Sequence, residues 1–576
     1  MIKNKAALPF LAISLFLLVI YGAVLLQAPT LSYDDEDLIF PLKNVSQLSQ
    51  YMEKVKSGDI LDRQPIRDLS YWLELQVEQA IGFRNSQFVN VLLLFACLLV
   101  FYVLLKTAKS FFPILNEKFI FPVLILTAVH PVVVPSVAWA ASRKHLLSGL
   151  FILLSTYFLM KLHLGSNGAR SKAIVKTTAL SIIFYYTLSL FSQPINLMWL
   201  AFAGVFLLLI SEEASLTEKI KRAFSANYLW MIPCLLVAVT AIIINWSYYS
   251  SEIFMATQGE GSNKILDESV LNILKRFHIL GRYFLQLVFP FWASPAPYEL
   301  FDFRSLIGLI LFVGAVTLWF KTQLQQKLFW FGFTFLMAPI FMMTIRLTNH
   351  GGWDTYLFTP LFGFMFLVYS LLSYFTLPSK NYHFFESRYL ANTLFVIIAV
   401  FFIYKSWSQA QVWADEDKLW TYSNELDQTV YVKGALAKRI IARDGVTPQV
   451  IQLVEEIQTL NPKTQLLGYL LGRLYFSSPG SFEQKKELFE KSEVESPWLT
   501  YFLAATYAQN KNFGAALKTL DDKFKEDPKK FVQAFIGSWK QLADNWRSIC
   551  DKANATDCDQ RLSWINQYLT DKNQVR

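Results

Sequence analysis

Four consecutive carboxylates, Asp34, Asp35, Glu36 and Asp37, follow Ser32-Tyr33 a few residues beyond the first apolar stretch of the chain. Anionic side chains beside a membrane are costly unless water, cations or a substrate compensate them. This stretch is therefore the leading candidate for chemistry, as a general base with a neighbour that positions the substrate. Read alone, the same residues also fit a solvated acidic loop. Cations stand at three other places: Arg63 and Arg67 in Asp-Arg-Gln-Pro-Ile-Arg-Asp-Leu; His130-Pro131 followed by Ser142-Arg143-Lys144-His145; and Arg346-Leu-Thr-Asn-His350-Gly-Gly-Trp353-Asp354-Thr-Tyr356. Arginine offers a planar fork for phosphate oxygens and lysine a point charge. Several cations facing an acidic pair suit a substrate that carries a phosphate and a nucleophile to be deprotonated. Taken singly, Arg143-Lys144 also fits a snorkelling pair at a helix end, and His350-Gly-Gly an ordinary turn. No Cys/His set has metal-ligand spacing, and neither a glycine-rich phosphate loop nor a nucleophile elbow occurs. A soluble-enzyme reading has no support.

The elements that must position these residues are membrane helices. The chain has 576 residues, 54% hydrophobic and 16% aromatic, with a mean hydropathy of +0.33, which identifies a polytopic membrane protein. Its net charge of +9 comes from Lys and Arg gathered in short loops, so it reports topology and lipid headgroup contact rather than a nucleic-acid partner. The first apolar segment, 8–27, is long enough to span and lacks a clear cleavage site, so it reads as a retained anchor. Lys3 and Lys5 before it keep the N-terminus cytoplasmic and put the acidic cluster outside. Further spans are expected at 87–106, 119–135, 146–162, 175–192, 195–211, 228–246, 305–320, 327–346, 355–377 and 390–407, which makes eleven and leaves the C-terminus outside. Lys106 with Lys109, Lys161 through Lys176, and Lys219 through Arg222 then all face the cytoplasm. Residues 28–86 form the first external loop, where Trp72, Leu73 and Leu75 have the spacing of an amphipathic surface helix. Within a second external loop, 247–304, the stretch 276–293 is interrupted by Arg282 and Pro290 and reads as membrane-adjacent or re-entrant; a full crossing there would instead put the C-terminal domain in the cytoplasm. From 412 the composition turns soluble and helical. Leu471-Gly-Arg-Leu-Tyr475 recurs as Leu503-Ala-Ala-Thr-Tyr507, close to the tetratricopeptide period, with Pro497 and Pro528 about one helix pair later in each copy. The expected organisation is mainly α: a membrane domain over 1–411 and a soluble helical-repeat domain over 412–576. Cys97 and Cys234 fall in apolar runs, while Cys550 and Cys558 form either a small disulfide loop or two free thiols.

The order of the motifs carries a resemblance. Tyr33-Asp34-Asp35-Glu36, then Arg67-Asp68-Leu69-Ser70 leading to Val89-Asn90-Val91-Leu92-Leu93, come first. They are followed by His130-Pro131 through Ser136-Val-Ala-Trp139-Ala-Ala-Ser142-Arg143-Lys144-His145-Leu-Leu147, and by Trp413-Ala-Asp415-Glu416-Asp417-Lys-Leu419-Trp420. Across essentially the whole chain this resembles the transmembrane and tetratricopeptide-repeat (TMTC-like) glycosyltransferases of the GT-C superfamily, including their bacterial relatives, most specifically over 130–147. The resemblance implies a polyprenyl-phosphate-linked sugar as donor, transfer on the extracytoplasmic face, and a protein hydroxyl as acceptor. By it, Asp34 or Asp35 orients and deprotonates the acceptor, Asp35 being favoured as base. Arg143 and Lys144 hold the donor phosphate, helped by Arg67 and His130. The third cluster contributes Arg346, His350, Asp354 and Tyr356. The chain departs from the family pattern at three places. Pro135 replaces a Glu, Ser192-Gln193-Pro194 stands for Ser-Lys-Glu, and Asp354-Thr-Tyr356-Leu-Phe358 stands for Glu-Arg-Tyr-Leu-Tyr, an arginine loss for which Arg346 or His350 could substitute. The resemblance implies metal-free chemistry, although a four-carboxylate cluster could also hold a hard cation. A bacterial inner membrane with the repeats in the periplasm, capturing the acceptor, is the expected setting. The competing readings are a non-catalytic membrane scaffold whose repeats recruit a partner, and transfer to a surface or lipid-linked glycan. A transporter fits less well, because the charges cluster at one membrane face.

Overall fold

In lipid every backbone polar group must be satisfied within the protein, which leaves helices or closed barrels. The computed structural model describes residues 7–28, 34–39, 42–43, 45–57, 64–82, 84–164, 172–211, 215–244, 267–293, 295, 302–321, 326–345, 354–375, 388–462, 464–492, 494, 496–526 and 539–553. All regular structure among them is helical. The chain divides into two compact units, Met1–Leu419 and Trp420–Arg576.

In the first unit, seven helices are long and apolar enough to cross a membrane: Leu8–Gln27, Ser86–Phe111, Ala140–His163, Lys172–Ser192, Leu216–Ile244, Asp354–Tyr374 and Thr393–Trp413. The stretch expected at 119–135 is a bent pair, Glu117–Ala128 and Pro131–Ala138, with 50° between its halves. Pro131 and Pro135 cannot donate the amide hydrogen bonds that would continue a helix, and the His130 ring caps the new start by accepting from the Val132 amide at 3.2 Å. Shorter apolar helices, Pro194–Ile210, Phe303–Thr317 and Lys327–Met343, cover the other expected stretches.

Between Leu216–Ile244 and Phe303–Lys321 lies Asp267–Val288, a continuous helix that breaks only before Pro290. It packs along Phe303–Lys321. A Cβ on Gly308 would stand 1.8 Å from the Gly281 carbonyl oxygen, so only glycine permits this backbone approach. Small polar residues serve the same end between Arg143–His163 and Lys172–Ser192. Ser189 Oγ donates to the Ser148 carbonyl at 2.9 Å, and Asn196 Nδ2 donates to Ser148 Oγ at 2.8 Å.

The external loop expected at 28–86 has a small core of its own, in which Ile39, Leu42, Val45, Tyr51, Tyr71, Leu75 and Ala140 are buried together. Its main helix, Pro65–Ile81, starts with proline at its first turn and ends at Gly82, whose φ of 68° is the left-handed conformation that closes a helix.

The second unit stacks antiparallel helix pairs. Val430–Asp444 pairs with Pro448–Leu460, Gln465–Ser477 with Phe482–Glu490, and Pro497–Gln509 with Phe513–Glu526. The first members of successive pairs touch directly. There Gly434 meets Leu466 and Gly468 meets Ser496, each closer than a Cβ would allow. Cys550, on the last described helix, is a disulfide cysteine; Cys558 lies outside the described residues. Cys97 and Cys234 are free and buried.

Candidate functional site

Helix Pro65–Ile81 turns an unusual face inward. Its buried residues, Arg67, Asp68, Tyr71, Glu74 and Leu75, have helical spacing, but three of the five are charged. Leu73 and Val77, by contrast, are exposed. An amphipathic helix at this position was expected from Trp72, Leu73 and Leu75; its polar, buried face was not. Burying charge is tolerated only where partners compensate it; Arg67 and Asp68 pair with each other, and Glu74 is answered by Arg84, Ser86 and, from the segment between residues 137 and 143, Arg143.

Arg143 is the centre of that compensation. It is fully buried at the start of helix Arg143–His163. Nε donates to Asn90 Oδ1 at 3.0 Å, and Nη1 donates to the Ser70 carbonyl and hydroxyl at 3.3 and 3.4 Å. Nη2 donates to the Ser86 carbonyl at 3.2 Å and to Glu74 Oε2. Five acceptors meet a group with five N–H donors. The guanidinium also lies 4.6 Å from the centre of the Tyr71 ring. Glu74 in turn accepts from Ser86 Oγ and, at 3.2 Å, from Arg84 Nε.

The 137–142 backbone is gripped from three sides. Asn90 Nδ2 donates to the carbonyls of Val137 and Trp139 at 3.1 and 3.3 Å. Tyr71 Oη donates to the Ala140 carbonyl at 2.7 Å. Burial raises the pKa of this phenol well above its ordinary value, against the lowering influence of Arg143 and Arg67, so it keeps the proton it donates. Asp35, itself fully buried, accepts the Ala141 amide at 2.7 Å through Oδ1. The Trp139 ring stacks on Trp413, with centroids 5.9 Å apart. Between these anchors, the hydroxyl of Ser142 is buried without a hydrogen-bond partner among the described residues.

The acidic segment, the first-loop helix and the Trp139–Arg143 segment thus converge, while the other expected residues are placed as follows. Asp34 opens the short helix Asp34–Ile39, and its side chain lies outside what the structure describes. Arg67 is buried against its neighbour Asp68, with Nε and Nη2 at 2.8 and 2.6 Å from Oδ1. His130 Nε2 lies 3.1 Å from the Leu287 carbonyl, and its ring meets Phe402 edge-on at 4.7 Å. It fixes the bend of its own span against helix Asp267–Val288. Lys144 is half-buried and makes no hydrogen bond or ion pair with a described residue. Asp354 and Thr355 are buried at the start of a later span, and Ser136 Oγ donates to the Thr355 carbonyl at 3.5 Å. The half-buried Tyr356 sets its ring against His145 at 5.2 Å. Arg346 and His350 lie outside the described residues, as does Arg63. Glu74 and Tyr71 were not singled out from the sequence, and Ser70 only as the end of the Arg67-Asp68-Leu69-Ser70 motif; the 67, 68, 71, 74 spacing of polar residues on one helical face is the signal that would have found the first two.

Two further features bear on what the unit could bind. Gln193, in the Ser192-Gln193-Pro194 departure, is buried, with Oε1 unbonded among the described residues. An apolar cleft of about 290 Å³ opens between helices Asp267–Val288, Phe303–Lys321, Gln326–Ile345 and Phe358–Phe375, walled by residues such as Phe284, Phe312, Trp319, Phe333 and Leu371. Among the described residues no cluster of three or more His, Cys, Asp or Glu could hold a metal ion. No protein-family model, no curated protein and no solved structure matches the chain.

Proposed function

We propose that this protein is a membrane glycosyltransferase that moves a sugar from a polyprenyl phosphate to a hydroxyl of a protein, on the extracytoplasmic face of a bacterial inner membrane. In this reading all eleven apolar stretches cross the membrane, the N-terminus is cytoplasmic, and the second unit is a tetratricopeptide-like module in the periplasm. The observation that carries it is the hydrogen bond from the Ala141 amide to the fully buried Asp35 carboxylate. It joins the acidic segment to the arginine segment, 106 residues away, at one site.

The acceptor oxygen attacks the anomeric carbon, its proton passes to the Asp35 carboxylate, and the bond to the donor phosphate breaks with the electron pair leaving on phosphate. One displacement inverts the anomeric centre. The cations divide the work according to their surroundings. Arg143 has committed its donors to the protein, so it holds the 137–143 segment in shape. Lys144, without such commitments, neutralises the departing phosphate, where charge develops in the transition state. The unbonded Ser142 hydroxyl is a polar contact for substrate. The apolar cleft suits the hydrocarbon part of the donor.

The full burial of Asp35 and Arg143 also favours a second reading, a scaffold in which this network only fixes the fold. Incubation of the purified protein with a radiolabelled polyprenyl-phosphate hexose and an envelope-protein extract separates the two. Label in protein, lost with Asp35→Asn, supports the transferase. No label with the native protein, across hexose and pentose donors, rejects it.

A further inference from the structure

A second, much smaller cavity lies inside the first unit. Its wall takes Ile152 from helix Arg143–His163, Asn196 and Trp199 from the segment after helix Lys172–Ser192, Phe335 and Pro339 from helix Gln326–Ile345, and Thr359 from helix Phe358–Phe375. Its volume is about 10 Å³. One water needs about 10–15 Å³ by the same measure, so the cavity has room for one small molecule and no second.

Three polar groups of this wall are uncommitted. The side-chain nitrogen of Asn196 donates to the Ser148 carbonyl at 3.2 Å and to Ser189 Oγ at 3.0 Å. A carbonyl can only accept, which fixes that atom as the nitrogen and leaves Oδ1 as an acceptor on the other side of the amide. Neither Asn196 Oδ1 nor the Thr359 hydroxyl makes a hydrogen bond with a described residue, although the two residues are only 2% and 4% exposed. The third group is the Phe335 carbonyl. Its helical donor would be the N–H of residue 339, and the proline there has none. Residues four apart share a helical face, and both Phe335 and Pro339 stand in the wall, so the gap between them faces the cavity. A proline within a membrane helix is tolerated where neighbouring side chains or ordered waters take up the freed carbonyl.

We propose that this cavity binds one water molecule, which donates to the Phe335 carbonyl and to Asn196 Oδ1 and accepts from the Thr359 hydroxyl. A buried water typically makes about three hydrogen bonds, and this arrangement uses both of its protons. A small cation would meet the same oxygens, but no carboxylate among the described residues lines the wall to offset the loss of its hydration. The water ties the helix interrupted by Pro339 to Asn196. Asn196 in turn holds Ser148, one turn beyond Lys144 on helix Arg143–His163. The bound molecule is thus part of the framework that carries the candidate site. The inference does not depend on the transferase reading.

The test uses the full-length protein in lipid nanodiscs. An electron cryo-microscopy map that resolves ordered waters is expected to show one isolated density within about 2.6–3.2 Å of Asn196 Oδ1, Thr359 Oγ1 and the Phe335 carbonyl oxygen. Thr359→Val keeps the side-chain shape and removes the hydroxyl. With the water in place it takes away one of three bonds, so the melting temperature should fall by about 1–3 °C. In a dry cavity the same change removes an unpaired hydroxyl, and the melting temperature would hold or rise. Exchange of sodium or potassium chloride for choline chloride at equal ionic strength should leave the melting temperature of the native protein unchanged. An empty cavity in the map, a Thr359→Val variant that melts with or above the native protein, or a melting temperature raised by sodium or potassium would each overturn the inference. Should Thr359→Val fail to fold, the map of the native protein decides.

Discussion

Replacing Arg143 by lysine keeps the charge and removes the fork. Arginine meets five acceptors here: Asn90 Oδ1, the Ser70 carbonyl and hydroxyl, Glu74 Oε2 and the Ser86 carbonyl. A lysine ammonium has three donors on one nitrogen, so at least two of these acceptors lose their donor inside the protein. At about 1–3 kcal/mol for each buried polar group left unsatisfied, Arg143→Lys costs about 2–6 kcal/mol. The lost stacking on Tyr71 adds about 0.5–2 kcal/mol. The neighbouring Lys144→Ala removes no bond to a described residue, and its effect on stability stays within about 0.5 kcal/mol. Thermal unfolding of both variants in one detergent, followed by tryptophan fluorescence, measures the contrast. Transfer assays on the same preparations give the second axis. Arg143→Lys is expected to melt well below the native protein, while Lys144→Ala melts with it and loses transfer. If Arg143→Lys melted with the native protein, Arg143 would not be the keystone of the 137–143 segment. If Lys144→Ala kept full transfer, the phosphate would be held elsewhere.

Three other outcomes are expected. Asp35→Asn keeps an oxygen for the Ala141 amide, so stability should fall by about 1 kcal/mol or less while transfer falls about 10²–10⁴-fold with the loss of a general base; unfolding and rate measurements on one preparation check both. Gly308→Ala would place its Cβ 1.8 Å from the Gly281 carbonyl oxygen, whereas Gly314→Ala meets nothing within 4 Å. The first should cost about 3 kcal/mol or more, beyond ordinary overpacking because the obstacle is backbone, and the second should be neutral or stabilise by about 0.4–1 kcal/mol, as read from melting temperatures. Asp302 has its pKa lowered: partial burial pushes it up, but the Ser305 amide, Arg304 and Arg282 outweigh that. A depressed carboxylate contributes stability that is present above its unfolded value and is lost as pH falls through the folded one. Asp302→Asn should therefore flatten the loss of stability below about pH 4, in melting curves taken from pH 3 to 6.

Much of the fold is legible in the sequence because lipid makes hydropathy decisive. Runs such as 87–106 and 175–192 are predominantly apolar, and the helices found there differ mainly in extent, Ser86–Phe111 and Lys172–Ser192. The bend at His130-Pro131 is written in Pro131 and Pro135. Where charge and hydropathy mix, the sequence speaks less clearly. Residues 276–293, with Arg282 inside, read as broken backbone, yet they continue a helix to Val288, since Asp302 answers Arg282 at 2.7 Å and the glycines let the next helix approach. The site is legible in part. That Asp35 and the Trp139–Arg143 segment belong together follows from the order of motifs. What Arg143 does there does not, because its partners Glu74, Ser70, Ser86 and Asn90 lie 53 to 73 residues away and nothing local distinguishes a buried arginine from a snorkelling one. Burial depends on what covers a residue. The cover here is a helix whose polar face is hidden behind the apolar pattern of Trp72, Leu73 and Leu75.

The most direct measurement is intact-mass analysis of envelope proteins from cells with the gene, without it, and complemented with Asp35→Asn. The proposal predicts that at least one envelope protein is lighter by a hexose- or pentose-sized mass without the gene, and that native protein but not Asp35→Asn restores it. Restoration by Asp35→Asn would contradict the assignment of the base, and unchanged masses throughout would contradict protein glycosylation itself.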